Sequence, residues 1–136
     1  MLTNGHHRTM MIMNINPISK ELQLRVENLK NKMTPDSYKY IGVDEGWYLI
    51  VADCDTDLTA INPDYQILQI KEKFGTLRYY YKTNSKYRAV VEAMARYVDE
   101  AEIESMYTCE ECGERGLLRR EIGYRKTLCE SCYASR

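Results

Sequence analysis

The amino-acid sequence predicts an α+β protein: helices and a β-hairpin form a core, and a C-terminal zinc-ribbon or treble-clef lobe closes the chain. Three observations carry this expectation. Apolar residues recur at helical spacing over 47–61 and 87–101, residues 65–82 are rich in β-branched and aromatic side chains on either side of a glycine turn, and residues 109–132 hold two Cys-x-x-Cys pairs.

Chain length sets the domain plan. The 136 residues suit one core with a short appended lobe, divided as a flexible leader at 1–16, an α+β core at 17–106 and a four-Cys lobe at 107–136 docked on it. His6 and His7 fall in the leader, where a disordered tail is the plainer reading. Met10-Met11-Ile12-Met13 is too short for a signal peptide.

Ser19 is placed to cap the first helix, which runs through Leu22, Leu24, Val26 and Leu29 toward Met33 and stops at Thr34-Pro35-Asp36. Residues 37–45 read as loop or short turn. Trp-Tyr-Leu-Ile-Val at 47–51 has strand propensity, yet Trp47, Ile50, Val51, Cys54, Leu58 and Ile61 share a helical face. The periodicity predicts a helix, with Asp44 as its cap and Asn62-Pro63-Asp64 as its stop. Cys54 is then a core thiol.

Asp53-Cys54-Asp55-Thr56-Asp57 resembles the opening of an EF-hand loop, but Leu58 and Asp64 stand where such a loop needs glycine and glutamate. A solvated acidic helix face is expected instead. Two strands follow, Tyr65–Lys71 and Leu77–Lys82, with Gly75 supplying a left-handed turn conformation. A long helix over about 86–105, with Tyr87, Val90, Val91, Met94, Val98 and Ala101 inward, leads straight to Cys109.

Composition bounds the function. With 44% hydrophobic and 29% charged residues the chain is not disordered throughout, and a net charge of −1 argues against a surface devoted wholly to nucleic acid. No run approaches the roughly 20 apolar residues of a membrane span, so no membrane partner is expected. Four of five cysteines in metal spacing imply a reducing compartment, the cytoplasm.

Cys109, Cys112, Cys129 and Cys132 have the spacing of one structural Zn2+ site, each pair lending two sulfurs to a tetrahedral ion. Two redox pairs are the weaker reading. Both histidines lie in the leader, leaving none for a nucleophile-His pair or a three-ligand catalytic zinc; the chain reads as a binder and not an enzyme.

Basic and aromatic residues interleave between Lys71 and Arg88, and five more cations follow at Arg115, Arg119, Arg120, Arg125 and Lys126. Candidate partner-binding residues are Lys71, Lys73, Arg78, Tyr80, Arg119, Arg120 and Arg125, where cations attract phosphate and aromatic faces stack on bases. The alternative reading places the hairpin tyrosines in the core, with the neighbouring lysines keeping one face wet.

Gly46-Trp47, Gln69-Ile70-Lys71-Glu72-Lys73-Phe74-Gly75-x-Leu77-Arg78-x-Tyr80 and Thr108-Cys109-Glu110-x-Cys112-Gly113 together resemble a family of small phage and mobile-element proteins. The resemblance implies an accessory role such as host takeover or countering host defence, exerted on a host protein or nucleoprotein complex. Locally, Cys109–Glu114 with Thr127–Cys132 is similar to the four-Cys finger of the DksA/TraR regulators, which act on RNA polymerase, although this chain lacks their long acidic-tipped helical hairpin. That similarity implies an alternative: a DNA- or RNA-binding transcriptional regulator.

Overall fold

The computed structural model describes residues 19–136 except Ile122. The leader and its histidines lie outside the described residues. The α+β expectation holds: four helices accompany a three-stranded and a two-stranded sheet among the described residues.

Helix α1 spans Lys20–Asn28 and continues as a 3-10 turn over Leu29–Lys32. Ser19 caps it, its hydroxyl accepting from the Leu22 amide at 3.2 Å. Leu22 and Val26 are buried against Ala52, whereas Leu24, expected on the same stripe, is exposed. Two residues past Leu22, it lies well round the helix from the contact face.

Strand β1, Ile41–Gly42, was not expected, since the segment reads as loop; it pairs in parallel with Ile70 and Lys71. Two residues carry too little periodicity to be seen in sequence. A 3-10 turn at Glu45–Trp47 then leads into α2, Tyr48–Ile61. Here the helical period prevails over strand propensity, because Ile50, Val51, Cys54 and Leu58 are all buried on one face. Asp44 makes no side-chain cap; its carboxylate is drawn instead to Lys126.

The acidic face of α2 is not simply solvated. Asp53 pairs with Arg25 at 3.2 Å and Asp55 with Lys32 at 3.1 Å, so both tie α1 to α2. Asp55 also accepts from the Tyr65 hydroxyl at 2.5 Å, and Tyr65 meets the Tyr79 hydroxyl at 2.7 Å inside the core.

Strands β2, Gln66–Lys73, and β3, Thr76–Lys82, form the hairpin, and the sheet order is β1-β2-β3. Gly75 is left-handed as expected at φ +86°, and Phe74 joins it at +56°. Helix α3, Arg88–Ser105, starts later than expected, leaving Tyr87 exposed at its N-cap position.

Helices α2 and α3 cover one side of the sheet, and Trp47, Leu58, Ile67, Ile70, Leu77, Tyr79 and Met94 fill the space between. Each such side chain contributes about 1.5–3 kcal/mol by leaving water. Strand β3 is an edge, and α3 satisfies it: the Leu77 amide donates to Ser105 Oγ at 2.9 Å and the Tyr79 amide to Glu102 Oε2 at 3.0 Å.

The C-terminal lobe comprises β4, Leu117–Arg119, paired antiparallel with β5, Lys126–Leu128, followed by α4, Glu130–Ala134. A cysteine knuckle, the β4–β5 hairpin and a short helix follow one another in this lobe, in keeping with the expected zinc-ribbon or treble-clef lobe.

Candidate metal centre and the surface it supports

The first cysteine pair sits on a tight knuckle. Gly113, at φ +88°, donates its amide to the Cys109 carbonyl at 2.9 Å, and the Glu114 amide turns toward the Cys112 sulfur. Cys129 is the N-cap of α4, its sulfur accepting from the Cys132 amide at 3.3 Å. Knuckle and helix start thus aim two sulfurs each at one point.

All four Sγ atoms lie within 4.8 Å of one another, and Cys112 and Cys129 are 3.6 Å apart. Four ligands set tetrahedrally at about 2.3 Å from an ion stand about 3.8 Å apart, so the donor set fits one metal ion. No disulfide joins the cysteines among the described residues, and Cys54 is buried elsewhere in the core.

The thiols are unequal. The Cys132 amide pulls Cys129 down to about 7, while burial pushes Cys112 up to about 11 and holds Cys132 far above the usual thiol range. A bound cation would supply the charge that lets all four be thiolates together. Among the described residues Leu128 and Tyr133 add the apolar packing around them, a small cluster beside the main core.

What the lobe lacks internally it gains from the α+β core. An ideal Cβ on Gly46 would stand 2.2 Å from the Cys109 carbonyl oxygen and 2.4 Å from that of Glu110, a close approach only glycine permits. The Gly46 amide donates to the Glu110 carbonyl at 2.7 Å, and the Trp47 indole N–H to the Thr108 carbonyl at 2.8 Å. From the other side the buried Thr127 hydroxyl donates to the Gly75 carbonyl at 2.7 Å, locking the hairpin tip to the lobe. Gly46 and Trp47 thus hold one side of the lobe at Thr108–Glu110, and the hairpin tip holds the other at Thr127.

Glu110 sits buried at its centre. Its carboxylate accepts from the Asp44 amide and from Lys126 Nζ, each at 3.1 Å, and Lys126 reaches Asp44 at 2.9 Å. Burial raises the Glu110 carboxyl pKa, with the Asp44 amide and Lys126 opposing it. For Lys126 burial works downward, but hydrogen bonds and charge from Asp44 and Glu110 outweigh it and the pKa rises. Nothing in the sequence singled out these three, since their pairing spans distant segments.

The candidate partner residues divide. Strand register sets Lys71 opposite Arg78 and Gln69 opposite Tyr80, so Lys71, Lys73, Arg78 and Tyr80 share the sheet face turned away from the helices. Arg125 comes to the same edge, its guanidinium 5.7 Å from the Phe74 ring, which Lys73 also approaches at 5.8 Å. Arg120 is exposed in the β4–β5 loop.

Arg119, unlike the other candidates, is engaged within the lobe. It is only 15% exposed, donates to the Leu128 carbonyl at 3.2 Å, pairs with Glu130 and lies 4.4 Å over the Tyr133 ring. The tyrosines likewise divide: Tyr65 and Tyr79 are buried, Tyr81 packs at the core margin and Tyr80 faces out. Phe74, read among the aromatics interleaved with the cations, is exposed, and so are Tyr38 and Tyr40, which the sequence reading passed over; Lys39 between them was their one visible signal.

No helix among the described residues is long and apolar enough to cross a membrane. Compared with known proteins, the chain matches no family model, no curated protein and no solved structure.

Proposed function

We propose that this chain is a zinc-stabilised binding protein without catalytic activity, acting by contact with a host protein or nucleoprotein complex. The observation that carries this reading is the convergence of four cysteine sulfurs. A tetrahedral all-sulfur set suits zinc, and four thiolates leave no coordination position for water or substrate. Cys109, Cys112, Cys129 and Cys132 would hold the ion, and its binding would order a lobe whose own apolar cluster is small.

Binding in preference to catalysis has further support. Asp53 and Asp55, neighbours on α2, are already engaged by Arg25 and Lys32. Lys71, Lys73 and Arg78 share one open sheet face. A phage accessory or anti-defence role rests on the sequence resemblance, and a cytoplasmic setting on the free thiols.

Elemental analysis of the purified chain tests the metal: one zinc per chain is expected, and iron or no metal overturns the reading. Affinity capture from host lysate, before and after nuclease, tests the partner. Partners retained after nuclease fit direct protein recognition; partners lost fit the DNA- or RNA-binding alternative.

A further inference from the structure

We infer that the open sheet face, continued over the hairpin tip, binds single-stranded nucleic acid, with bases stacking on Tyr40, Tyr80 and Phe74 and phosphates meeting Lys71, Lys73 and Arg78. This deepens the binding-protein reading and rests on it.

The face is built for such a ligand in three respects. First, its charge is of one sign. Outward positions of β2 and β3 hold Lys71, Lys73 and Arg78 with no carboxylate among them, because Glu72 turns away to accept from the Gly75 amide at 2.7 Å. None of the ion pairs among the described residues involves these three cations. Arg78 Nη1 donates to Thr76 Oγ1 at 2.6 Å and to the Leu77 carbonyl at 3.3 Å, both uncharged acceptors, so no carboxylate among the described residues offsets the charge of the three.

Second, aromatic rings lie between the cations. A Cβ on Gly42 would stand 3.3 Å from both the Tyr40 ring and Lys71 Cβ, which places Tyr40 and Lys71 around the same gap in the outer face. Tyr40 is 70% exposed, Phe74 62% and Tyr80 39%. Phe74 follows Lys73 at the hairpin tip and Tyr80 stands two positions from Arg78 on the same face of β3, so rings and cations are interspersed along the strip.

Third, the strip is rigid at its far end. Phe74 holds a left-handed conformation unusual for a bulky residue, and the neighbouring Gly75 is fixed by Thr127 of the metal lobe. Ordering the lobe thus fixes the ring that ends the strip.

The charge selects the occupant. Residues 1–18 contain Arg8 and no Asp or Glu, so the leader offers no complement to three cations. A second copy of the face would bring like charges together. An acidic peptide would satisfy the cations and leave the rings without partners, whereas a single strand offers a planar base and a phosphate at every step. In a duplex the base faces are already stacked.

The test is fluorescence anisotropy of labelled oligo-dT and oligo-U of about 12 nucleotides, titrated with the full metal-loaded chain. Binding is expected to weaken with salt at a slope of about −2, from roughly 0.7 per phosphate over three contacts. The Lys71→Gln/Arg78→Gln double variant should lose about tenfold or more and flatten the slope. Tyr80→Ala should lose at least about fivefold with the slope unchanged. Metal content and thermal melting confirm that each variant is folded.

The inference is overturned by no binding at low salt, by variants that bind as the parent does, by a duplex that binds as well as the strand, or by polyglutamate displacing the strand at equal charge. The last would assign the face to an acidic protein. A chain that keeps its zinc but ignores oligonucleotides sinks this inference alone; a folded chain without zinc sinks the metal reading instead.

Discussion

The Trp47 indole N–H donates to the Thr108 carbonyl at 2.8 Å, joining the start of α2 to the residue before Cys109, the first of the four clustered cysteines. Trp47 is fully buried and is the sole tryptophan of the chain. Fluorescence therefore reports on the junction. Removing metal with a strong chelator should shift the Trp47 emission to the red as water enters, and restoring zinc should reverse it. An emission spectrum indifferent to metal would show that lobe and core are ordered independently.

Gly46 offers a sharper probe of the same contact. Because a methyl at this position would overlap two carbonyl oxygens, Gly46→Ala should cost about 1–3 kcal/mol by overpacking. Urea unfolding measures the cost, and competition with a chelator should show weakened metal retention. An unchanged midpoint would mean the lobe can move away freely.

The cysteines should separate cleanly. Cys132→Ser is expected to lose the stoichiometric metal, since one thiolate of four is removed. Cys54→Ala should keep it, because Cys54 is buried in the core cluster away from the lobe; its cost is about 1 kcal/mol of packing. Metal per chain by mass spectrometry distinguishes the two.

Alkaline pH should destabilise the core through its buried tyrosines. Burial first, then the neighbouring Asp55 charge, raises Tyr65, and burial followed by Tyr65 raises Tyr79. Both therefore stay protonated in the folded chain above about pH 10, where the unfolded chain ionises. Their contribution is complete below pH 10 and declines above it, by up to about 1.4 kcal/mol per pH unit for each. Tyr79→Phe should shallow the decline in unfolding free energy between pH 10 and 11; an identical slope would mean Tyr79 does not ionise on unfolding.

Phe74 separates stability from binding. Left-handed backbone costs a bulky residue about 1–2 kcal/mol, while its contacts with Lys73 and Arg125 return about 0.5–1 kcal/mol each. Phe74→Asn, which tolerates this backbone, should change stability by less than about 1 kcal/mol and weaken oligonucleotide binding severalfold. Full retention of binding would remove Phe74 from the strip.

Much of the architecture was legible locally. Ser19 as a cap, the helical period of 47–61 over its strand propensity, the Gly75 turn and the cysteine spacing each depend on residues a few positions apart. The failures share a cause. Leu24 and Tyr87 fit an apolar period but face water, and β1 exists only because β2 lies beside it. The engagement of Arg119 likewise depends on Leu128, Glu130 and Tyr133 coming together around it.

By itself, then, the sequence determined the four sulfur donors, the helices and the hairpin, because backbone periodicity and knuckle spacing are short-range. Tertiary structure alone decided that Gly46 and Gly75 clasp the metal lobe, that Lys126 serves Glu110 and Asp44, and that Lys71, Arg78 and Tyr80 share an open face. Those outcomes depend on which distant segments pack together, and burial and strand register, set by the whole chain, determine where each side chain points.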